Sequence, residues 1–168
     1  MSKLKFGIVG CGSIAGHSFA PSLCNSTVAE LVAVCRRDRD KAQGFAEQFV
    51  GCAHYGSAEE LLDDDNIEAV VVATPTDSHC QYTVLAAKRG RHVICEKPMG
   101  RNADECRQMI EACRKAGVKL GVAYRRRLFP QVLKAKALIA EVRIGRVVCV
   151  RTHYSGWMSV GPDEWRVD

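Results

Sequence analysis

Short, almost wholly apolar runs alternate along this chain with longer stretches whose apolar side chains recur at helical spacing. The first kind reads as buried strand and the second as amphipathic helix. Leu4–Val9 opens the series. Glu30–Cys35 is the second strand, followed by a helix from about Asp38 to Gln48. A short strand near Ala53–Tyr55 precedes a small helix opened by the capping box Ser57-x-x-Glu60. Ile67–Ala73 is apolar almost throughout, as a central parallel strand covered on both faces must be. Thr74-Pro75 ends it. A helix from about Asp77 to Arg89 stops at Gly90, and strand His92–Cys95 breaks at Glu96-Lys97-Pro98. Asn102-x-x-Glu105 caps a long helix that ends before Gly117. Lys119–Tyr124 is the sixth strand. This alternation predicts an α/β fold, a Rossmann-type doubly wound parallel sheet.

Beyond Pro130 the spacing predicts a helix to about Glu141, and Arg146–Tyr154 then alternates like a strand. Six strands already complete the sheet, so this seventh has nothing left in the sequence to pair with. An unpaired strand edge attracts other chains. The expected division is therefore a dinucleotide-binding domain over residues 1–124 and, over 125–168, a linking helix with the first strand of an incomplete open-sheet domain.

Composition narrows the class. The 168 residues are 47% apolar, enough for a proper core in one domain or slightly more. No apolar run approaches the roughly 20 residues of a membrane span, and the amino-terminal apolar stretch reads as a core strand rather than a signal peptide. Nine cysteines without metal-like spacing read as small buried hydrophobes, reduced, in the cytoplasm. Cys11 stands apart, because a thiol at a helix N-terminus can become reactive. Residues 1–122 carry fifteen basic and fifteen acidic side chains, and residues 123–168 nine and four, so the whole excess of +5 lies in the last stretch. Arg125-Arg126-Arg127 belongs to it. Such a run is usually a solvated face and sometimes a phosphate or nucleic-acid contact.

The chemistry begins where the first strand ends. Gly10-Cys11-Gly12-Ser13-Ile14-Ala15 is G-x-G-x-x-A between a strand and a helix, the turn that seats a dinucleotide pyrophosphate. Gly10 permits the turn, Gly12 lets the backbone approach the phosphates, and Ala15 lets the helix pack close to the strand. The helix opening near Ser13 offers unpaired N–H groups to an anion. In open parallel sheets the ligand lies beyond the carboxyl ends of the strands. Those ends bear Arg36-Arg37, Thr74-Pro75, Glu96-Lys97-Pro98 and Tyr124-Arg125. Arginines after the second strand favour NADP, since a guanidinium matches the 2′-phosphate. Asp38 keeps NAD open. Lys97 is the catalytic candidate, a cation able to stabilise developing alkoxide charge or relay a proton. His79 can line the same crevice, whereas His17, His54, His92 and His153 read as structural or surface residues.

Three segments carry a family resemblance: Gly10–Ala15, Thr74-Pro75-Thr76-Asp77-Ser78-His79, and His92-Val93-Ile94-Cys95-Glu96-Lys97-Pro98. They are followed by Tyr124-Arg125-Arg126-Arg127-Leu128-Phe129-Pro130 and Arg143-Ile144-Gly145-Arg146-Val147. In this order and spacing the chain resembles the glucose–fructose oxidoreductase/inositol dehydrogenase family, Gfo/Idh/MocA, over essentially its whole length. The resemblance implies a nicotinamide-dependent oxidoreductase acting on a sugar, polyol or related secondary alcohol. It sets Lys97 beside the nicotinamide and the reacting carbon, with Thr74, Pro75, His79, Glu96 and Arg125 or Arg126 around it. Trp165-Arg166 resembles a further cofactor-contacting pair. Arg36 stands where many members carry aspartate. The family's substrate domain and its acid–base histidine would follow Arg166, so the 168-residue chain alone is expected to turn over poorly. A small-molecule substrate, a homo-oligomer, and neither nucleic-acid nor membrane partners are expected. The competing readings are a non-catalytic dinucleotide-binding or interaction module and, more weakly, nucleic-acid binding through Arg125–Arg127.

Overall fold

A computed structural model describes residues 2–153 and 155. The chain divides into two compact units, residues 1–124 and 125–168. In the first, six parallel strands form one sheet: β1 (Leu4–Val9), β2 (Ala29–Cys35), β3 (Ala53–Tyr55), β4 (Ala69–Val72), β5 (His92–Cys95) and β6 (Leu120–Val122). Their spatial order is β3-β2-β1-β4-β5-β6. The order reverses between β1 and β4, where Phe6–Val9 pair with Ala69–Val72. A crevice for a ligand opens at such a switch point.

The sequence pattern explains the layering. Val70 and Val72 of β4 face one buried cluster with Leu61, Leu62, Ala86 and Met109. Ala69 and Val71 face the other, with Ile8, Leu31, Ala15 and Leu23. Both faces of β4 are thus covered, which is why the strand is apolar at every position. The first cluster takes in α3 (Ala58–Leu62), α4 (His79–Lys88) and α5 (Ala103–Lys115). The second takes in a helix that starts as a π-helical segment (Ala15–Phe19) and continues as α1 (Ala20–Cys24), together with Ala46 of α2 (Arg39–Ala46). Gly7 of β1 belongs to this packing as well. A Cβ there would lie 2.8 Å from Leu61 Cδ2, so β1 and α3 approach closely only because the side chain is missing.

Local signals set the helix starts. Asp38 accepts from Lys41 N at 3.1 Å, Ser57 from Glu60 N at 3.1 Å, and Asn102 from Glu105 N at 2.9 Å. Each satisfies an N–H that the first helical turn leaves unpaired. Glu60 reaches back to Gly56 N, and Glu105 to Arg101 N, one residue before the cap in both cases.

The second unit holds a 3₁₀ turn (Arg125–Leu128) and α6 (Pro130–Ala140), where Pro130 sits at the helix start that proline suits. Residues 146–153 form no strand, contrary to the expectation for Arg146–Tyr154; Tyr154 lies outside the described residues. Alternation supplies a strand's pattern but not its hydrogen bonds, which must come from a neighbouring strand. Among the described residues no helix is long and apolar enough to cross a membrane, and no group of three or more His, Cys, Asp or Glu could hold a metal ion.

Candidate cofactor site

Hydrogen bonds continue beyond the carboxyl ends of the strands and bring their tails together. Gly10 N donates to Cys35 O at 3.0 Å, Ala73 N to Val9 O at 2.9 Å, Glu96 N to Val72 O at 2.9 Å, and Ala123 N to Cys95 O at 2.9 Å. Four of these tails, after β1, β2, β4 and β5, leave the same edge of the sheet within the first unit. Arg125 begins the second unit, and Trp165 and Arg166 lie outside the described residues.

A cleft of about 790 Å³ opens there, floored by Gly10, Cys11 and Gly12. Gly10 has φ +101°, and a Cβ on it would come within 2.9 Å of the Ala73 carbonyl oxygen. Only glycine fits that conformation without strain. At Gly12 the result is opposite: a Cβ would meet nothing within 4 Å, so the missing side chain leaves open space at the helix start. The first-turn N–H groups have no intrahelical acceptors. Open space before unpaired donors is what a diphosphate needs, and the residues present fit a dinucleotide. Ser13 Oγ lies 3.3 Å from His17 Nδ1, Ile14 packs against the core, and Ala15 is fully buried within it.

Arg36, Arg37, Asp38 and Lys41 line the cleft after β2. Arg36 Nη1 donates to Cys11 O at 3.4 Å, which draws the guanidinium to the phosphate turn. Asp38 is engaged elsewhere. It caps α2 and pairs with Lys41 Nζ at 3.0 Å, and these bonds, the backbone one first, hold its carboxyl below the usual range.

Thr74 and Pro75 also line the cleft with Ser78 and Tyr82, as do Ser57–Glu59. The last two groups escaped the sequence reading. Ser57 was legible as a helix cap, but its place at the cleft depends on β3 standing beside β2.

Glu96 and Lys97 follow β5 on the same edge but do not line this cleft. The Glu96 side chain is only 12% exposed; it accepts from Lys97 N at 2.7 Å and lies 3.9 Å from Lys97 Nζ. The Lys97 side chain is 63% exposed, and the Lys97–Pro98 peptide is cis. A largely buried carboxylate thus holds the Lys97 backbone and faces its exposed ammonium, a cation that can meet developing negative charge. His79 does not line the cleft: its ring is buried and turned between two backbone carbonyls.

Cys11 corrects the expectation of a reactive thiol. It is 6% exposed, donates to Cys35 O, and burial pushes its pKa up to about 11 despite nearby Arg36. Desolvation outweighs the cation and the helix start. All nine cysteines are free; Cys35 and Cys95 are buried as expected, whereas Cys149 is exposed.

A family profile described as "Oxidoreductase family, NAD-binding Rossmann fold", GFO_IDH_MocA, matches residues 4–124. The chain belongs to this family. It is 40% identical over 148 residues to "Oxidoreductase P35" of Formosa agariphila, covering 88% of this chain and 46% of that protein. It is 35% identical over 165 residues to "D-xylose 1-dehydrogenase (NADP(+)) 2" of Haloferax volcanii, covering 98% and 50%. The WlbA dehydrogenase from Bordetella pertussis, solved in complex with NADH and UDP-GlcNAcA, superposes with a TM-score of 0.79 at 34% identity, over 86% of this chain and 44% of that one. The chain thus spans about half the length of the curated relatives it matches.

Proposed function

We propose that this Gfo/Idh/MocA chain is the cofactor-binding portion of an NADP(H)-preferring dehydrogenase or reductase. The proposed reaction joins a secondary alcohol and the corresponding carbonyl of a sugar- or polyol-like substrate. The nicotinamide supplies the hydride chemistry when bound. The chain's own residues do the rest. The Gly10–Ala15 turn binds the diphosphate through backbone N–H groups, while Thr74, Pro75 and Glu96 frame the redox end. Lys97 donates a hydrogen bond to the substrate oxygen and stabilises negative charge on it. Arg125, Trp165 and Arg166 are proposed cofactor contacts on the family resemblance alone. Nine free cysteines support a reduced, cytoplasmic setting.

The observation that carries the NADP preference is the division of labour after β2. Arg36 and Arg37 face the cleft, while the nearest carboxylate, Asp38, is committed to the α2 cap and to Lys41. A ribose 2′-phosphate meets cations there, while Asp38 is not free to accept from a bare 2′-hydroxyl. Parallel titrations with NADPH and NADH test this, repeated on Arg36→Asp. Wild type binds NADPH more tightly, and the variant loses on the order of ten-fold or more of that affinity, as loss of a charge-assisted bond implies. Equal affinities in both proteins would remove the arginine from the account. Sedimentation of the chain tests the expected homo-oligomer, and a sugar, inositol and dihydrodiol panel tests the poor turnover expected of these 168 residues.

A further inference from the structure

Of the five histidines only His79 is buried, with 1% of its surface exposed. It opens α4, and its ring lies between two backbone carbonyls. Nε2 is 2.8 Å from Thr74 O, and Nδ1 is 2.9 Å from Pro98 O. A carbonyl oxygen can only accept. A neutral imidazole has one N–H and one lone pair, so it can donate to one of these oxygens but must set lone pair against lone pair at the other. Both contacts are hydrogen bonds only if each ring nitrogen carries a proton. The alternative sets a ring lone pair against a carbonyl lone pair at 2.8 or 2.9 Å, within hydrogen-bond distance of a ring that is itself buried.

The two carbonyls belong to different segments. Thr74 follows β4 and lines the cofactor cleft, and Pro98 follows β5 directly after Lys97. The strands run parallel and side by side, with Val72 opposite Cys95. We propose that His79 is a positioning residue, an imidazolium that donates to Thr74 O and Pro98 O and so fixes where the Lys97 segment stands beside the cleft.

An acidic side chain stands in the same neighbourhood. Glu105 of α5 is a carboxylate held below the usual range chiefly by Arg101, with His79 adding to the effect. Glu105 also accepts from Arg101 N at 2.8 Å and from the Arg101 guanidinium, so the segment after Lys97 is tied at both ends. His79 holds it at Pro98, and Glu105 holds it at Arg101. Asp77, next to α4, Arg101 and Glu96 are further charged groups in this neighbourhood, and Cys80 and Cys95 are nearby thiols; burial pushes both thiols up, Cys95 to about 12, so neither is a competing charge.

The consequence for Lys97 rests on the proposed function, but the test does not. Long-range proton–nitrogen NMR of the ¹⁵N-labelled 168-residue chain at neutral pH reads the protonation of each ring nitrogen directly. The buried ring is expected to show two protonated nitrogens with slowly exchanging hydrogens. One bare nitrogen in that ring overturns the proposal. In His79→Gln, which cannot donate in both directions, amide exchange at residues 76–78, at Lys97 and at residues 99–101 should accelerate together by roughly ten-fold, with α2 unaffected. Acceleration spread evenly over the chain, or absent, also overturns it. If the variant does not fold, the wild-type ring signals decide alone. Absence of NADPH binding with two protonated ring nitrogens would count against the cofactor proposal and leave this one standing.

Discussion

Gly10 and Gly12 stand two residues apart in one turn, and the structure gives them different work. Alanine at Gly10 places a Cβ at φ +101°, 2.9 Å from Ala73 O and 3.0 Å from Ala73 C. The backbone conformation alone costs about 1–3 kcal/mol for a non-glycine residue. The overlap is with backbone at the end of β4, which cannot swing away as a side chain would, and overpacking of this kind adds about 1–3 kcal/mol. The total, roughly 2–6 kcal/mol, is a large share of the 5–15 kcal/mol that holds a typical domain together. Gly10→Ala is therefore expected to lower the thermal midpoint by on the order of 10 °C. Alanine at Gly12 meets no atom within 4 Å, and the residue is not in the left-handed region. Its stability should be unchanged or raised by up to about 1 kcal/mol, because alanine restricts the unfolded chain. The new methyl stands where the diphosphate must approach, and NADPH affinity should fall by at least about ten-fold, or 1.4 kcal/mol. Thermal unfolding followed by circular dichroism, with NADPH titration of whatever remains folded, separates the two effects. The reasoning is refuted if Gly12→Ala unfolds as early as Gly10→Ala, or if it binds NADPH as wild type does.

Gly7→Val should destabilise the first unit by about 1–3 kcal/mol through collision with the buried Leu61, measured by urea unfolding; trimming the partner in Gly7→Val/Leu61→Ala should recover part of the loss. Alkylation of the native chain at mildly alkaline pH should modify exposed Cys24 and Cys149 first and leave Cys11, Cys35 and Cys95 untouched until unfolding; peptide mapping that finds Cys11 labelled early would show the phosphate turn to be open. Because Arg101 depresses the Glu105 carboxyl, that group adds stability above its unfolded pKa of about 4.3 and loses it as pH falls through the lower folded value. Glu105→Gln should therefore be less stable than wild type at neutral pH, with the gap closing in acid; parallel acid-unfolding curves would contradict the depressed carboxyl.

The sheet was legible because its signals are local. Four buried positions in a row at β4, caps three residues from their targets, and prolines and glycines after strands all act within a few residues. The glycine turn was legible for the same reason. What sequence could not supply is what lies across a gap. Cys11 reads as a thiol activated by a helix start, yet the Cys35 carbonyl and surrounding apolar groups decide its state. His79 sits in the right segment for a cofactor contact, but Pro98, nineteen residues away, claims its ring. Arg146–Tyr154 has a strand's alternation, and residues 146–153 form none, since a ladder is a property of two segments and not of one.

These differences follow a single division along the carboxyl edge of the sheet. The proposed phosphate end is made of backbone: Gly10 N tied to Cys35 O, Ala73 N tied to Val9 O, and a helix start with open space before it. Such a surface tolerates changes of side-chain chemistry but not the addition of a Cβ, so its failures appear as strain or as a blocked anion. The proposed redox end is made of side chains that grasp backbone: His79 on Thr74 O and Pro98 O, Glu105 on Arg101 N, and Glu96 on Lys97 N. There a single altered functional group frees a segment without any steric overlap, and damage appears as misplacement of Lys97 rather than loss of fold. Between the two ends stands Arg36, a side chain drawn onto the backbone of the phosphate turn by the Cys11 carbonyl. Its guanidinium can leave that 3.4 Å contact for a phosphate at little cost, because a long, weak bond to a neutral oxygen is exchanged for a charge-assisted one. Asp38 has no comparable freedom, since turning toward a ribose would uncap α2 and abandon Lys41. Cofactor choice in this chain thus depends less on which charges lie near the cleft than on which of them the fold leaves free to move.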